Sequence, residues 1–479
     1  MRCLTAITRA TSALRVVATA VGAFAMVAGA GCTAGDAALL GLDATPVARD
    51  RLDAYCVALG ADGERRFGRR YTVDAFPLPQ TLGVRAEGRS AVVARIDGLN
   101  AGLRIGSASS TLRFASSAES LTLDVCAPRS GGTKLAARAS MPAVADRLAV
   151  VRSGAEAVGG AELVALAGTA GSRWGFPLGG SPLPLPTDGG LGLGAGSGVL
   201  GMRAFDVDGD CGDDLVVAAD NRSPLVWPAS RDGGLVPDAS RIAAVPAARA
   251  LAAGDLDVDG YADLITVGDE GATVLLSDRV RGYVEKLSAV DVQATFGSTV
   301  AIGDLNGDGL NDFMVGFSPG PLRWWRGDGK GSFRLQTTPL PGAFDAAQLE
   351  LRDLDGDGDL DAILAARGGM PGLRIFINGG SGIFTDATAT LAPTNLDAGM
   401  VGLVFADLDG DCAEELIAIG ASSPPRWLAW QSGSFADRGS VGTAPAHAGA
   451  AGDLDGDGVV ELAVAGASAV VIYAVGATQ

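Results

Sequence analysis

From Gly131 to its end, the chain alternates short apolar runs with clusters of glycine, aspartate and serine, and the runs recur in a fixed order. VAIGDL, LELRDL and LVFADL each lead into a polar loop, and DFMVGF, DAILAA and ELIAIG follow at once. LRWWRG or LRIFIN comes next, then a glycine turn and a last run such as SFRLQTTPL. Each run is roughly six residues long, as strands are, and no helical period links one run to the next. The pattern predicts all-β units of four short strands.

The loops carry the strongest repeat. GDLNGDGLNDFMVG at Gly303 recurs as FDVDGDCGDDLVV at Phe205, GDLDVDGYADLITV at Gly254, RDLDGDGDLDAIL at Arg352, ADLDGDCAEELIAI at Ala406 and GDLDGDGVVELAVA at Gly452. A spacing of about 50 residues marks a repeat architecture, in which each unit buries its faces against its neighbours. Upstream, AVVRSGAEAVGGAELVALAG from Ala149 keeps the flanking runs and loses the acids. It reads as a seventh unit. Before it, GGTKLAARASMPAVADRLAVVR from Gly131 aligns with KGSFRLQTTPLPGAFDAAQLELR from Lys330, so its first strand matches the last strand of a unit. The final unit lacks that strand, and the early one is expected to complete it. A ring closed in this way leaves only short, protected sheet edges, which makes a seven-bladed β-propeller over 131–479 the expected architecture.

In each loop, oxygen-bearing side chains fall at the first, third, fifth and ninth positions. The sets are Asp206, Asp208, Asp210 and Asp214; Asp255, Asp257, Asp259 and Asp263; Asp304, Asn306, Asp308 and Asp312; Asp353, Asp355, Asp357 and Asp361; Asp407, Asp409, Asp411 and Glu415; Asp453, Asp455, Asp457 and Glu461. Carboxylates this close repel one another unless a cation sits among them. Glycines at the fourth and sixth positions let the backbone curl so that alternate side chains point inward, while the seventh offers its carbonyl and the ninth closes the shell. Six or so oxygens suit Ca²⁺, one ion per loop and about six in all, better than the rigid octahedron of Mg²⁺. Zinc would want His or Cys, and the chain has one His. An EF-hand needs Glu at the twelfth position, where Val217, Thr266, Val315, Leu364, Ala418 and Val464 stand instead.

These D-x-D-G-D-G-x-x-D-[LF] loops between β-runs resemble the FG-GAP or VCBS repeats of integrin-α-like β-propellers. The resemblance implies Ca²⁺ sites on one face of the disc and ligands taken by the opposite face or the rim. Departures are Val258 for the first glycine of the second loop, Cys211 and Cys412 for the second glycine in two others, and Asn306 for an acid. Those sites are expected to be weaker.

Composition narrows the rest. With 70 glycines in 479 residues the chain is rich in turns, and 48% hydrophobic residues exclude disorder. A net charge of −18 excludes binding to nucleic acid through its phosphates. Arg2, Arg9 and Arg15 precede the run VVATAVGAFAMVAGAG, too short and too rich in Gly and Ala to span a membrane comfortably. Residues 1–31 read as a secretory signal. Gly29-Ala30-Gly31-Cys32 resembles a bacterial lipoprotein box with lipidation on Cys32, against ordinary cleavage after Ala28-Gly29-Ala30 or a retained apolar helix.

Residues 32–130 are expected to form a small β-sandwich-like domain, although Leu52, Tyr55, Cys56 and Leu59 have helical spacing. In an oxidising compartment four cysteines allow three pairings. Cys56 and Cys126 bracket the N-terminal domain and are expected to pair; Cys211 and Cys412, three blades apart, are a strained alternative. Arg326-Gly327-Asp328 falls in a turn and reads as turn chemistry, Trp324 and Trp325 as core, and the lone His447 as structural. No G-x-S-x-G, P-loop or zinc motif is present. The expectation is therefore a secreted or surface-anchored calcium-binding module without chemistry, recognising an extracellular protein or a polysaccharide. The rivals are a carbohydrate-active enzyme resembling polysaccharide lyases and a purely structural envelope component.

Overall fold

The computed structural model describes residues 16–19 and, leaving out loops of which the longest are 124–134, 152–162, 185–198 and 229–237, residues 37–475. Of the expected signal segment only Val16–Thr19 is among the described residues; it pairs with Gln80–Arg85. Cys32, Cys126 and Cys412 lie outside them. Among the described residues no helix is long and apolar enough to cross a membrane.

The N-terminal part is two four-stranded sheets sharing one core. In one, Ala37–Ala44 lies between Gln80–Arg85 and the parallel strand Ala118–Leu123; in the other, Ala54–Ala61 lies between Glu64–Thr72 and Ala91–Asn100, with Leu103–Arg113 outermost. Leu40, Leu42, Leu82 and Val84 of the first meet Tyr55, Val57, Leu59 and Ile96 of the second. The helical alternative for Leu52–Leu59 is thereby excluded. Cys56 and Ala58, on the alternate positions of Ala54–Ala61, are buried too, at 2% and 0% exposure. A strand covered on both faces loses the period of two that would reveal it.

Among the described residues seven further sheets follow, each antiparallel and each containing three or four strands. Their innermost strands are Arg147–Val151, Val199–Phe205, Ala250–Gly254, Gly297–Gly303, Ala346–Arg352, Met400–Ala406 and Ala446–Gly452. Each neighbours the innermost strand of the next sheet, and Ala446–Gly452 neighbours Arg147–Val151. The seventh sheet is completed from the start of this region: Leu135–Met141 pairs with Val470–Val475, Met141 opposite Val470. The arrangement is propeller-like.

Second strands such as Asp214–Ala219, Asp312–Phe317 and Asp361–Ala366 are buried at every residue. Their alternate side chains serve two neighbours. Phe313 and Val315 pack toward the third sheet with Val274 and Ile265, whereas Met314 packs toward the fifth with Leu349 and Leu364. Burying large apolar side chains contributes roughly 1.5–3 kcal/mol each, so the contacts between sheets dominate the energetics of this region. Trp324 and Trp325 are 4% and 1% exposed and face opposite neighbours, Trp325 stacking on Phe313 with centroids 4.9 Å apart. Neither offers a sugar a surface.

Candidate metal centres

Every acidic loop leaves the C-terminal end of an innermost strand and enters a buried second strand. The curl depends on left-handed backbone at the fourth and sixth positions: φ is 73° at Gly307, 80° at Gly309, 81° at Gly356, 94° at Gly358 and 85° at Gly260. Where glycine is missing the course is unchanged, with φ of 59° at Val258 and 71° at Cys211. A β-branched residue rarely adopts that region, so the loop at Val258 is strained.

The curl turns backbone N–H groups onto the first acid. Asp304 accepts from Gly307 at 2.8 Å and Gly309 at 2.7 Å, Asp353 from Gly356 at 2.8 Å and Gly358 at 3.0 Å, and Asp255 from Asp259 at 3.1 Å and Gly260 at 2.8 Å. The fifth acid accepts from the seventh N–H: Asp210 from Gly212 at 3.0 Å, Asp259 from Tyr261 at 2.9 Å, Asp308 from Leu310 at 3.0 Å, Asp357 from Asp359 at 3.0 Å and Asp411 from Ala413 at 2.9 Å. With the backbone held this way, carboxylate oxygens converge. Those of Asp206, Asp208 and Asp210, of Asp255, Asp257 and Asp259, and of Asp353, Asp355 and Asp357 each lie within 4.8 Å of one another, as do those of Asp407, Asp409 and Glu415. This all-oxygen donor set fits a hard divalent cation such as Ca²⁺. In the third loop Asn306 turns its amide onto Asp312 at 2.7 Å. In the sixth, Asp453 and Glu461 are described, and Asp455 and Asp457 lie outside the described residues.

The ninth acid has a further role that spacing alone did not reveal. Asp214, Asp263, Asp312, Asp361 and Glu461 are 0% exposed and Glu415 1%. Each accepts from the backbone N–H of the second loop position: Val207, Leu256, Leu305, Leu354, Leu408 or Leu454, at 2.8–3.0 Å. Three reach across to the third strand as well, where Ser277, Gly327 and Asn378 each donate an N–H at 2.8 Å. The acid thus latches the loop to two strands. Burial pushes Asp263 up to about 8, Glu415 to about 7 and Asp361 to about 6, against their backbone hydrogen bonds. Negative neighbours add to the cost of ionisation, so the ion-free loop is electrostatically strained.

Arginines meet several of these acids, and sequence reasoning missed them. Arg241 reaches Asp208 at 3.0 Å, Arg326 reaches Asp308 at 2.8 Å, Arg138 reaches Glu461 at 3.3 Å, and Arg438 pairs with Asp409. Three of them end the same short pattern, Ala-x-Arg, at Ala136–Arg138, Ala239–Arg241 and Ala436–Arg438. That recurrence was the available signal. The Arg326-Gly327-Asp328 tripeptide is consumed internally: Arg326 holds Asp308, the Gly327 N–H holds Asp312, and Asp328 accepts from Lys330 at 2.9 Å and Ser332 at 3.0 Å.

One expectation is overturned. Cys56 bonds not to Cys126 but to Cys211, in the first acidic loop, with Cα atoms 5.7 Å apart. Arg95, 4% exposed, donates to the Cys211 carbonyl at 3.0 Å. The N-terminal domain is therefore fastened over the acidic-loop side, and pairing of Cys211 with Cys412 is excluded as well. A buried disulfide of this kind belongs to a protein of an oxidising compartment.

Acidic loops set between antiparallel strands in consecutive sheets define a repeat protein of loop–strand units. Residues 304–364, 353–418 and 407–464 match the FG-GAP-like repeat, so the chain carries FG-GAP-like repeats over this stretch. No curated protein matches the chain. Among solved structures, similar chains include one from a study of recognition of non-reducing terminal N-acetylglucosamine by an Agrocybe aegerita lectin, with 18% identity and a TM-score of 0.45 over 67% of this chain and 85% of that one. Another comes from a complex of BBS1N with ARL6DN, with 12% identity and a TM-score of 0.49 over 72% of this chain and 98% of that one.

Proposed function

We propose that this chain is an extracytoplasmic, calcium-stabilised seven-bladed β-propeller that serves as a non-catalytic binding module for a protein or polysaccharide partner. The observation that carries the reading is the convergence of first, third and fifth carboxylates in the first, second and fourth loops, within 4.8 Å, on a backbone preset by left-handed residues. Bound Ca²⁺ would neutralise these groups and tie each innermost strand to its neighbour. Linkage gives about 1.4 kcal/mol per loop at ten times Kd, and several loops together approach the stability of a whole domain. The FG-GAP-like repeats support the same reading.

Calorimetric melting with and without a chelator tests it: the larger domain is expected to lose Tm strongly on chelation and the N-terminal one little. Unchanged melting, with no calcium found by elemental mass spectrometry, would sink the reading. The enzyme alternative draws on Arg147, Arg203, Arg249, Arg367 and His447, which line one cavity. Turnover of polygalacturonan by the purified protein would put that alternative first.

A further inference from the structure

The geometry points to an acidic peptide as the partner of this module, held at a basic mouth on the side opposite the calcium loops. This step rests on the proposed binding role and names the class of ligand. A cavity of ≈ 540 Å³ opens where the seven innermost strands begin, whereas the acidic loops follow the ends of six of them. It is lined by Arg147, Arg203, Arg249, Arg367 and the exposed His447. None of its lining residues is Asp or Glu, in a chain with 55 acids against 37 Lys and Arg.

The guanidinium groups are positioned by acids that do not line the cavity and by a backbone carbonyl that does. Asp269 grips Arg249 at 2.5 and 3.1 Å, Asp345 holds Arg367 at 3.3 Å, and the Leu200 carbonyl takes the Arg147 Nε–H at 2.8 Å. Arg203 donates to the Met202 carbonyl at 3.4 Å and faces Glu350 at 3.9 Å. Arg203, Arg249 and Arg367 keep 43–47% of their side chains exposed. The exposed parts of these guanidinium groups, placed around a ring beside their internal partners, present positive charge to carboxylates spaced along an extended chain.

Two observations choose a peptide over a sugar. No Trp, Tyr or Phe lines the cavity, so a pyranose ring finds no stacking face, while Met202 and Val401 supply an apolar surface for peptide stems. The cavity volume suits a few residues of extended chain. The free side is this one, because the disulfide from Cys56 to Cys211 fixes the N-terminal domain over the other.

Fluorescence anisotropy of a labelled hexaglutamate peptide with the full chain in millimolar calcium tests the inference. Saturable binding is expected, weakened at least about tenfold in Arg249→Gln/Arg367→Gln and several-fold in Arg203→Gln, with oligogalacturonate of equal charge binding less well. These side chains are half exposed, and the variants are expected to keep the calcium-dependent melting of the parent. No saturable binding, equal affinity in both variants, or tighter binding of oligogalacturonate overturns the inference. Normal calcium-dependent melting with flat anisotropy rejects the peptide site alone, whereas calcium-independent melting rejects the calcium reading whatever the anisotropy shows.

Discussion

Replacing Asp361 with alanine removes the acceptor for two buried N–H groups, Leu354 at 2.9 Å and Asn378 at 2.8 Å. Each orphaned donor costs about 1–3 kcal/mol, so the variant should lose about 2–6 kcal/mol even without metal. Asp361→Asn keeps one acceptor and should lose about half as much. Urea denaturation in excess chelator, followed by the fluorescence of buried Trp324 and Trp325, measures this latch term by itself.

Repeating the titration in calcium separates a second role. At ten times Kd a bound ion adds about 1.4 kcal/mol. If Asp361 also completes the shell of the ion held by Asp353, Asp355 and Asp357, its replacement should cost about that much more in calcium than in chelator. Equal losses would make the ninth acid a latch and nothing else. An Asp361→Ala protein within 0.5 kcal/mol of the parent in chelator, by the scale of orphaned donors, would refute the reasoning for both.

Three other substitutions probe separate parts of the argument. Cys56→Ser opens a link spanning 155 residues, worth about 5 kcal/mol on the chain-entropy scale, and should lower the urea midpoint of the protein; peptide mapping that finds Cys56 joined to Cys126 would overturn the assignment. Burial pushes the Asp437 carboxyl up, but donors from Arg426, Asn395 at 2.7 Å and the Gly439 N–H at 2.9 Å outweigh it and hold the group below the usual range. A lowered folded value means a contribution that is complete above the unfolded pKa of about 3.9 and lost as pH falls through the folded one, so the Tm gap between parent and Asp437→Asn should close only below pH of about 4. Gly382 has φ of 68° and its added Cβ would lie 2.1 Å from the Trp324 ring, so Gly382→Ala should cost about 2–4 kcal/mol, whereas Gly433→Ala, at φ of 83° with open space around it, should cost about 1. Equal thermal shifts for the two glycines would show that the ring contact is not what matters.

The repeat was legible because its chemistry is local. Nine successive residues hold a loop, and the ninth opens a buried strand of six, so DFMVGF and DAILAA announce both their class and their neighbours. The borrowed strand Leu135–Met141 was readable for a related reason, since its sequence matched a place left empty at the other end. Pairing of Cys56 was not readable. It depends on how two domains dock, and four cysteines in sequence carry no information on docking. The basic cavity was missed because no sheet supplies more than one of its five basic side chains. Arg249 and His447 both stand six residues before the first acid of their loops, yet nothing adjacent in sequence marks either. Judged alone, His447 had no visible partner; in the fold it shares a cavity with four arginines.

That separation of charge ties the two halves of the functional reading together. Innermost strands that begin at the cavity, six of the seven ending at acidic loops, sort basic side chains to one side and acidic ends to the other. With a net charge of −18, the ion-free chain repels an acidic partner at long range even though the mouth itself is basic. Each Ca²⁺ bound on the far side reduces that repulsion by two charges without touching the ligand. Calcium should therefore raise the association rate of hexaglutamate at low ionic strength more than it slows dissociation. In about 0.5 M salt the Debye length falls to a few ångströms, and the rate advantage should vanish while the arginine contacts remain. Stopped-flow anisotropy at the two ionic strengths measures both rates, and a calcium effect on association that persists at high salt would show that the ions act by reshaping the mouth, not through the field.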